Sequence, residues 1–222
     1  MLTASTASEP KPPTSTKRVF LSEFFENWVT RRLGLTHSPL RSLENDDDWT
    51  FVIKMYAVVE AALNHLLMVR LNDPKLSEII AKLPTNDQRR GKMALVKAYR
   101  LLSENSCLFV RLFSEIRNIA VHDAKSFNLD LTKYVAALED NEKPKWKKAL
   151  SSWWVPFPDP QHEAAAQHEA YGRHHFETAL DNPRYSIFSS CIHILGQAHV
   201  QEMNAERRKN EQNELTDLIR GV

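Results

Sequence analysis

The chain has 222 residues, 42% of them hydrophobic and 26% charged, which is long enough for one sizeable core. A net charge of +1 excludes a global basic field, so any RNA or DNA contact has to come from local patches. Only five glycines and little β-branched alternation predict an all-α chain, and the scarcity of Gly argues against phosphate-cradling loops and nucleophile elbows.

Residues 1–17 are rich in Ser, Thr and Pro and read as a disordered tail, leaving 18–222 as a single all-α domain. A short amphipathic helix follows in FLSEFFENWVTRRLG, with Ser22 as N-cap and Gly34 as stop. Asp46, Asp47 and Asp48 then suit the positive end of a long helix that Asn72-Asp73-Pro74 terminates. KLSEIIAKL predicts a short helix. TNDQ caps the next, RRGKMALVKAYRLL, and SENS punctuates before a helix that ends in SEIRNIAVHD. KSFNLDL reads as a loop with a short extended piece, and helices resume at TKYVAALED and KPKWKKALSSWW. After the rigid VPFPDP, the segment 156–222 predicts the C-terminal helices: one from about 161 to 180, and a long last helix after Asn182-Pro183 with an apolar first half and a polar second half. The expected architecture is a helical bundle with long antiparallel helices at its centre.

Cys107 and Cys191 lie in apolar helical contexts and read as small core residues of a reducing compartment. The N-terminus lacks an apolar signal-type region, and no run approaches eighteen apolar residues. A cytoplasmic protein without a membrane segment is therefore expected.

The stretch SEIRNIAVHD carries the chemistry. At helical spacing Phe109, Leu112, Phe113, Ile116, Ile119 and Ala120 form a stripe expected to be buried, while Arg111, Glu115, Asn118 and His122 form a parallel polar stripe. Arg117 lies between them, on the line of Ser114 and Val121. Asn118 and His122 are one turn apart, so the amide could orient the imidazole. Cutting RNA without a metal needs a base for the 2′-hydroxyl, an acid for the 5′-oxygen and a fixed cation for the phosphorane charge. His suits the proton steps and Arg the phosphate, and a symmetric dimer would supply the second His. The plain alternative is structural: Arg117 pairs with a carboxylate, Asn118 caps a neighbour and His122 only ends its helix. Glu60 sits on a mostly apolar line with Ile53, Tyr56, Leu63 and Leu67, where an unpaired carboxylate would be costly. Its expected partner is Arg117 or Lys92, either in a structural ion pair or as a site residue orienting Arg117.

Arg-Asn-x-x-x-His at the end of an apolar helix, with Ala near the His, resembles the RNA-associated helical family called HEPN. RGKMALVKAYRLLSENSCLFVRLFSEIRNIAVHD resembles its mannitol-operon repressor branch more narrowly. There a helix with a Lys and a later Tyr or Leu turns into a second helix that ends in this motif, and a Phe-Asn/Asp loop follows, here SFNLDL. VVEAALNHLL is similar to the family's long helix, and the likeness spans about residues 46–135. The resemblance implies a HEPN-like all-α fold, a homodimer and, in active members, a metal-independent endoribonuclease site. By motif position that site falls on Arg117 and His122 with Asn118 alongside, with no metal or cofactor. One departure is that Val121 stands between Ala120 and His122, where the family has an aromatic residue before an Ala-His pair. Two functional expectations follow. One is a ribonuclease of toxin, defence or RNA-processing type, with an antitoxin or regulatory protein as partner. The other is a non-catalytic regulatory module involved in transcriptional repression.

Elsewhere, His162, His168, His174 and His175 do not share the spacing of a zinc-protease motif, and a solvated helix is expected there. Cys191 and His193, two apart, diverge on a helix. Two basic sets stand out: Arg89, Arg90, Lys92, Lys97 and Arg100, and the four lysines around Trp146, whose ring could stack a base. Both read first as solvated faces. No recognition helix stands out, so sequence-specific DNA reading is not expected.

Overall fold

A computed structural model describes residues 23–34, 40, 43–87, 89–122, 127–151 and 176–220. The described residues are helical and contain no strand, in agreement with the all-α expectation. The tail 1–17, the Ser22 cap, Asp123, the VPFPDP break and the four clustered histidines lie outside them.

Local chemistry sets most boundaries. α1 (Glu23–Leu33) ends at Gly34, whose φ of 65° is the left-handed conformation that glycine adopts without penalty. α2 (Asp48–Leu71) is capped by the Asp47 side chain, which accepts from the Thr50 N–H at 2.9 Å, and ends at left-handed Asn72. Asp73 caps the turn Pro74–Leu76, which leads into α3 (Ser77–Lys82). α4 (Lys92–Ala98) is shorter than the sequence predicts at both ends. Asp87 does not cap it but folds the preceding loop, accepting from the Arg89 and Arg90 N–H groups at 2.8 and 2.9 Å. Arg100 turns left-handed (φ 51°) and drops Leu101 and Leu102 into the core instead of continuing the helix. Ser103 caps α5 (Glu104–His122) through the Ser106 N–H, and Asp130 caps α6 (Leu131–Ala136). Of the loop expected at 125–131, residues 127–128 form a helical turn and Asp130 is extended (φ −124°, ψ 108°). α7 (Lys143–Leu150) follows. Of the helix expected at 161–180, only the end is described, helical over 176–181. Pro183 then occupies the first position of α8 (Pro183–Arg220), where its missing N–H costs nothing.

α2 is the centre of the core, with ten buried residues spread around it. α5 runs antiparallel to it, with Trp49 level with Ala120 and Tyr56 level with Ser114. α8 runs parallel to α2: Asp48 meets Arg184 at one end and His65 meets Glu202 at the other. By length and composition α2 could cross a bilayer, which inspection for unbroken apolar runs did not bring out. In this fold its apolar surface is covered by α5, α8 and the shorter helices. Cys107 and Cys191 are buried free thiols, and burial pushes both above the ordinary thiol range.

Candidate functional site at the end of α5

α5 presents two faces, as its periodicity predicts. Phe109, Phe113, Ile116 and Ala120 are buried, whereas Arg111, Glu115, Asn118 and His122 are exposed, with Arg111 and Glu115 paired at 3.2 Å. Ile119 breaks the expected stripe and is 40% exposed. Ala120 takes the inward position of the last turn, and Ile119, about 100° away around the helix, is left at the edge beside exposed Val121.

Arg117 sits at the seam. Its guanidinium lies 5.5 Å from the centroid of the Tyr56 ring, and it donates to the Asn118 Oδ1 at 3.2 Å. Beneath it the Tyr56 hydroxyl and Ser114 Oγ are 3.2 Å apart. A half-buried cation is thus held against an aromatic face, with the amide steering its fork. The Trp49 indole donates to the Ala120 carbonyl at 2.8 Å, satisfying one of the orphan acceptors of the helix end, and its ring lies 5.3 Å from Phe127. Trp49 therefore fixes the turn that carries the motif. It escaped the sequence reading because its partner is a backbone oxygen 71 residues away.

One turn along α2 from Tyr56, Glu60 Oε1 accepts from Lys92 Nζ at 2.8 Å and from Thr85 Oγ1 at 2.5 Å. Of the two partners expected for Glu60, Lys92 makes the ion pair. Arg117 makes no direct one, although its charge reaches the carboxylate. Burial pushes the Glu60 carboxyl up, but the hydrogen bonds from Lys92 and Thr85, with the charges of Lys92 and Arg117, outweigh it and hold the group below the usual range. Lys92 is 0% exposed, so this lysine is not part of a solvated basic face, while Arg89, Arg90, Lys97 and Arg100 are exposed. The structure also does not bring Asn118 and His122 into a hydrogen bond: the amide oxygen serves Arg117, and the imidazole stands exposed on the final residue of α5.

The second basic set needs correction. Trp146 is 1% exposed, its indole donating to the Ala179 carbonyl at 2.7 Å, so it cannot stack a base. Among the described residues no cluster of three metal-ligating side chains is found.

The site is therefore a rim formed by Arg117, Asn118 and His122, with Tyr56 behind the cation and Glu60 one turn deeper. It offers a positioned cation for an anionic group and an open imidazole for proton transfer. No family model, curated protein or solved structure matches the chain.

Proposed function

We propose that the chain is a HEPN-type, metal-independent endoribonuclease that acts as a homodimer in the cytoplasm, with Arg117 and His122 of both copies at a shared cleft. The observation that carries this reading is the Arg117 guanidinium, held at the surface on the Tyr56 ring rather than consumed by a carboxylate. It is poised for a phosphate, with exposed His122 on the same helix end. Exposed Ile119 and Val121 beside the motif give a second copy apolar surface to cover. In this reading Arg117 binds the scissile phosphate, Asn118 orients Arg117, Glu60 sets the electrostatics behind it, and the two His122 side chains divide the base and acid steps. An antitoxin-like or regulatory protein would act by covering this rim.

The test is RNA cleavage in chelator. Wild type should cut, and His122→Ala and Arg117→Ala should each lose about 10²–10⁴-fold in rate while keeping their thermal stability. The second reading, a non-catalytic regulatory module of the repressor-like branch, draws on the missing Asn118–His122 bond and on the engagement of Glu60 by Lys92. Absence of cutting by any of the three proteins would favour it.

A further inference from the structure

The end of α5 that carries His122 also carries an exposed aromatic ring. Phe127 is 67% exposed, the most exposed aromatic side chain among the described residues. Its ring lies 5.3 Å from that of Trp49 with the two planes 33° apart, so one face leans on the indole and the other faces outward. The indole is itself pinned, donating to the Ala120 carbonyl at 2.8 Å, two residues before His122. Trp49, Tyr56 and Glu60 fall on one line of α2, with Trp49 and Tyr56 two turns, or about 10 Å, apart along the axis. The ring backed by Trp49 and the Arg117 cation held on Tyr56 are thus neighbouring stations on one rim, and the open imidazole ends the helix that bears the cation.

A flat ring on a rigid support beside a fixed cation suits a nucleobase and its phosphate. Stacking on an aromatic face is tolerant of sequence, because every base has a π-face, and a ring already held in place loses little freedom when the base arrives. The guanidinium takes the phosphate charge. The carboxylates that open α2 beside Trp49 are already engaged: Asp46 pairs with Lys54 at 2.9 Å, Asp47 caps the helix through Thr50, and Asp48 pairs with Arg184 at 2.8 Å. A duplex offers no free base face here, since its bases stack within the helix, whereas an unpaired strand can splay a base onto the ring. Ile119 and Val121, the apolar residues given to a second copy, lie on α5, whereas Phe127 leans on α2 through Trp49.

We infer that Phe127, backed by Trp49, is the stacking platform for an unpaired base of a single-stranded RNA whose phosphate lies on Arg117. This names the substrate class of the proposed ribonuclease site and rests on that reading for its ligand. The probe is a short single-stranded RNA carrying one 2-aminopurine at successive positions, 2′-O-methylated so that it stays uncut, added to the full chain. Wild type should quench the fluorescence at one position, and Phe127→Tyr should keep that quench. Phe127→Leu keeps the apolar bulk but has no π-face, so it should lose the quench and weaken the strand's affinity by about 5–150-fold. A matched duplex should bind without dependence on Phe127. With cleavable single-stranded RNA in chelator, Phe127→Leu should raise KM by a similar factor and change kcat little. A wild type that cuts, with Phe127→Leu quenching and cutting equally well, overturns the platform and leaves the ribonuclease reading standing. A Phe127-dependent quench with no cleavage by wild type removes the ribonuclease reading and leaves the platform. A wild type that neither quenches nor cuts overturns both. Sedimentation should show Phe127→Leu in the oligomeric state of wild type; a change of state assigns the ring to the contact between copies and overturns the inference.

Discussion

A lysine ammonium with no route to water must be met by an anion, and in this molecule Lys92 depends on Glu60 more than Glu60 depends on Lys92. Lys92 is wholly enclosed, with Glu60 Oε1 at 2.8 Å and the Ala81 carbonyl at 3.3 Å. The Glu60 side chain is 38% exposed and can fall back on solvent. Removing one partner of a buried pair strands the other, whereas replacing a charge by an apolar group of similar shape need not. Glu60→Ala should therefore cost about 3 kcal/mol in urea unfolding, and Lys92→Met about 1 kcal/mol or less. The depressed Glu60 carboxyl also sets a pH dependence. Its contribution is complete above the unfolded glutamate value of about 4.3 and is lost as pH falls through the lower folded value, because the unfolded chain takes up the proton first. Glu60→Gln should flatten that acid limb, and an unchanged limb would remove Glu60 from the account. Sequence spacing named Glu60 as needing a base but could not choose between Arg117 and Lys92. The choice is made by the fold, which encloses Lys92 and leaves Arg117 over Tyr56. Trp146 was misread for a related reason: the charges around it predict exposure, and only the long-range bond to Ala179 shows that the indole points inward.

Elements were legible wherever their ends are made by neighbours in sequence. Asp47, Asn72, Asp73 and Asp130 cap or stop helices through groups within four residues. Residues 84–87 and 89–91 were not legible, because they form a loop built to present side chains. The Lys92 and Met93 N–H groups donate to the Pro84 and Thr85 carbonyls, and the Gly91 N–H donates to the Asp87 carbonyl. This fold-back brings Thr85 and Lys92 onto the same Glu60 oxygen. It also leaves no room at Gly91, where a Cβ would lie 2.2 Å from the Pro84 oxygen and 2.6 Å from that of Asp87. Gly196, inside α8, is the opposite case, with nothing within 4 Å of its added Cβ. Gly91→Ala should destabilise by about 1–3 kcal/mol by forcing the loop open. Gly196→Ala should stabilise by about 0.5–1 kcal/mol through helix propensity alone. Thermal melts of the two variants should thus shift in opposite directions. Shifts of the same sign would mean that the loop is looser than its hydrogen bonds require.

At the scale of the molecule, two carboxylates fasten α8 to the parallel α2, one near each end of their contact. Asp48 accepts from Arg184 at 2.8 Å and from the Leu131 N–H at 2.8 Å, while Arg184 also reaches the Leu43 carbonyl and lies 4.5 Å from the centroid of the Phe51 ring. Glu202 accepts from the Trp28 indole at 2.7 Å and pairs with Arg32 at 2.9 Å, with His65 Nε2 at 3.4 Å. Sequence patterning assigned Asp48 only to the helix dipole and gave Glu202 no role, since neither residue declares partners more than eighty positions away. Each carboxylate joins three elements: α2, α6 and α8 at one end, α1, α2 and α8 at the other. Each makes two charge-assisted contacts in a shielded setting, so Asp48→Ala and Glu202→Ala should each cost about 2 kcal/mol, with the half-exposed Arg32 keeping the second figure from rising further. The latches are separated by more than four turns of α2 and share no partner, so the double variant should show the sum of the single losses to within about 0.5 kcal/mol. Their local effects should differ. Glu202→Ala removes the buried carboxylate that holds Trp28 and Arg32 of α1 and should raise amide exchange across Glu23–Leu33 while leaving α6 protected, and Asp48→Ala should do the reverse. Exchange that rises everywhere in both variants would mean that the latches report only global stability and hold no particular helix.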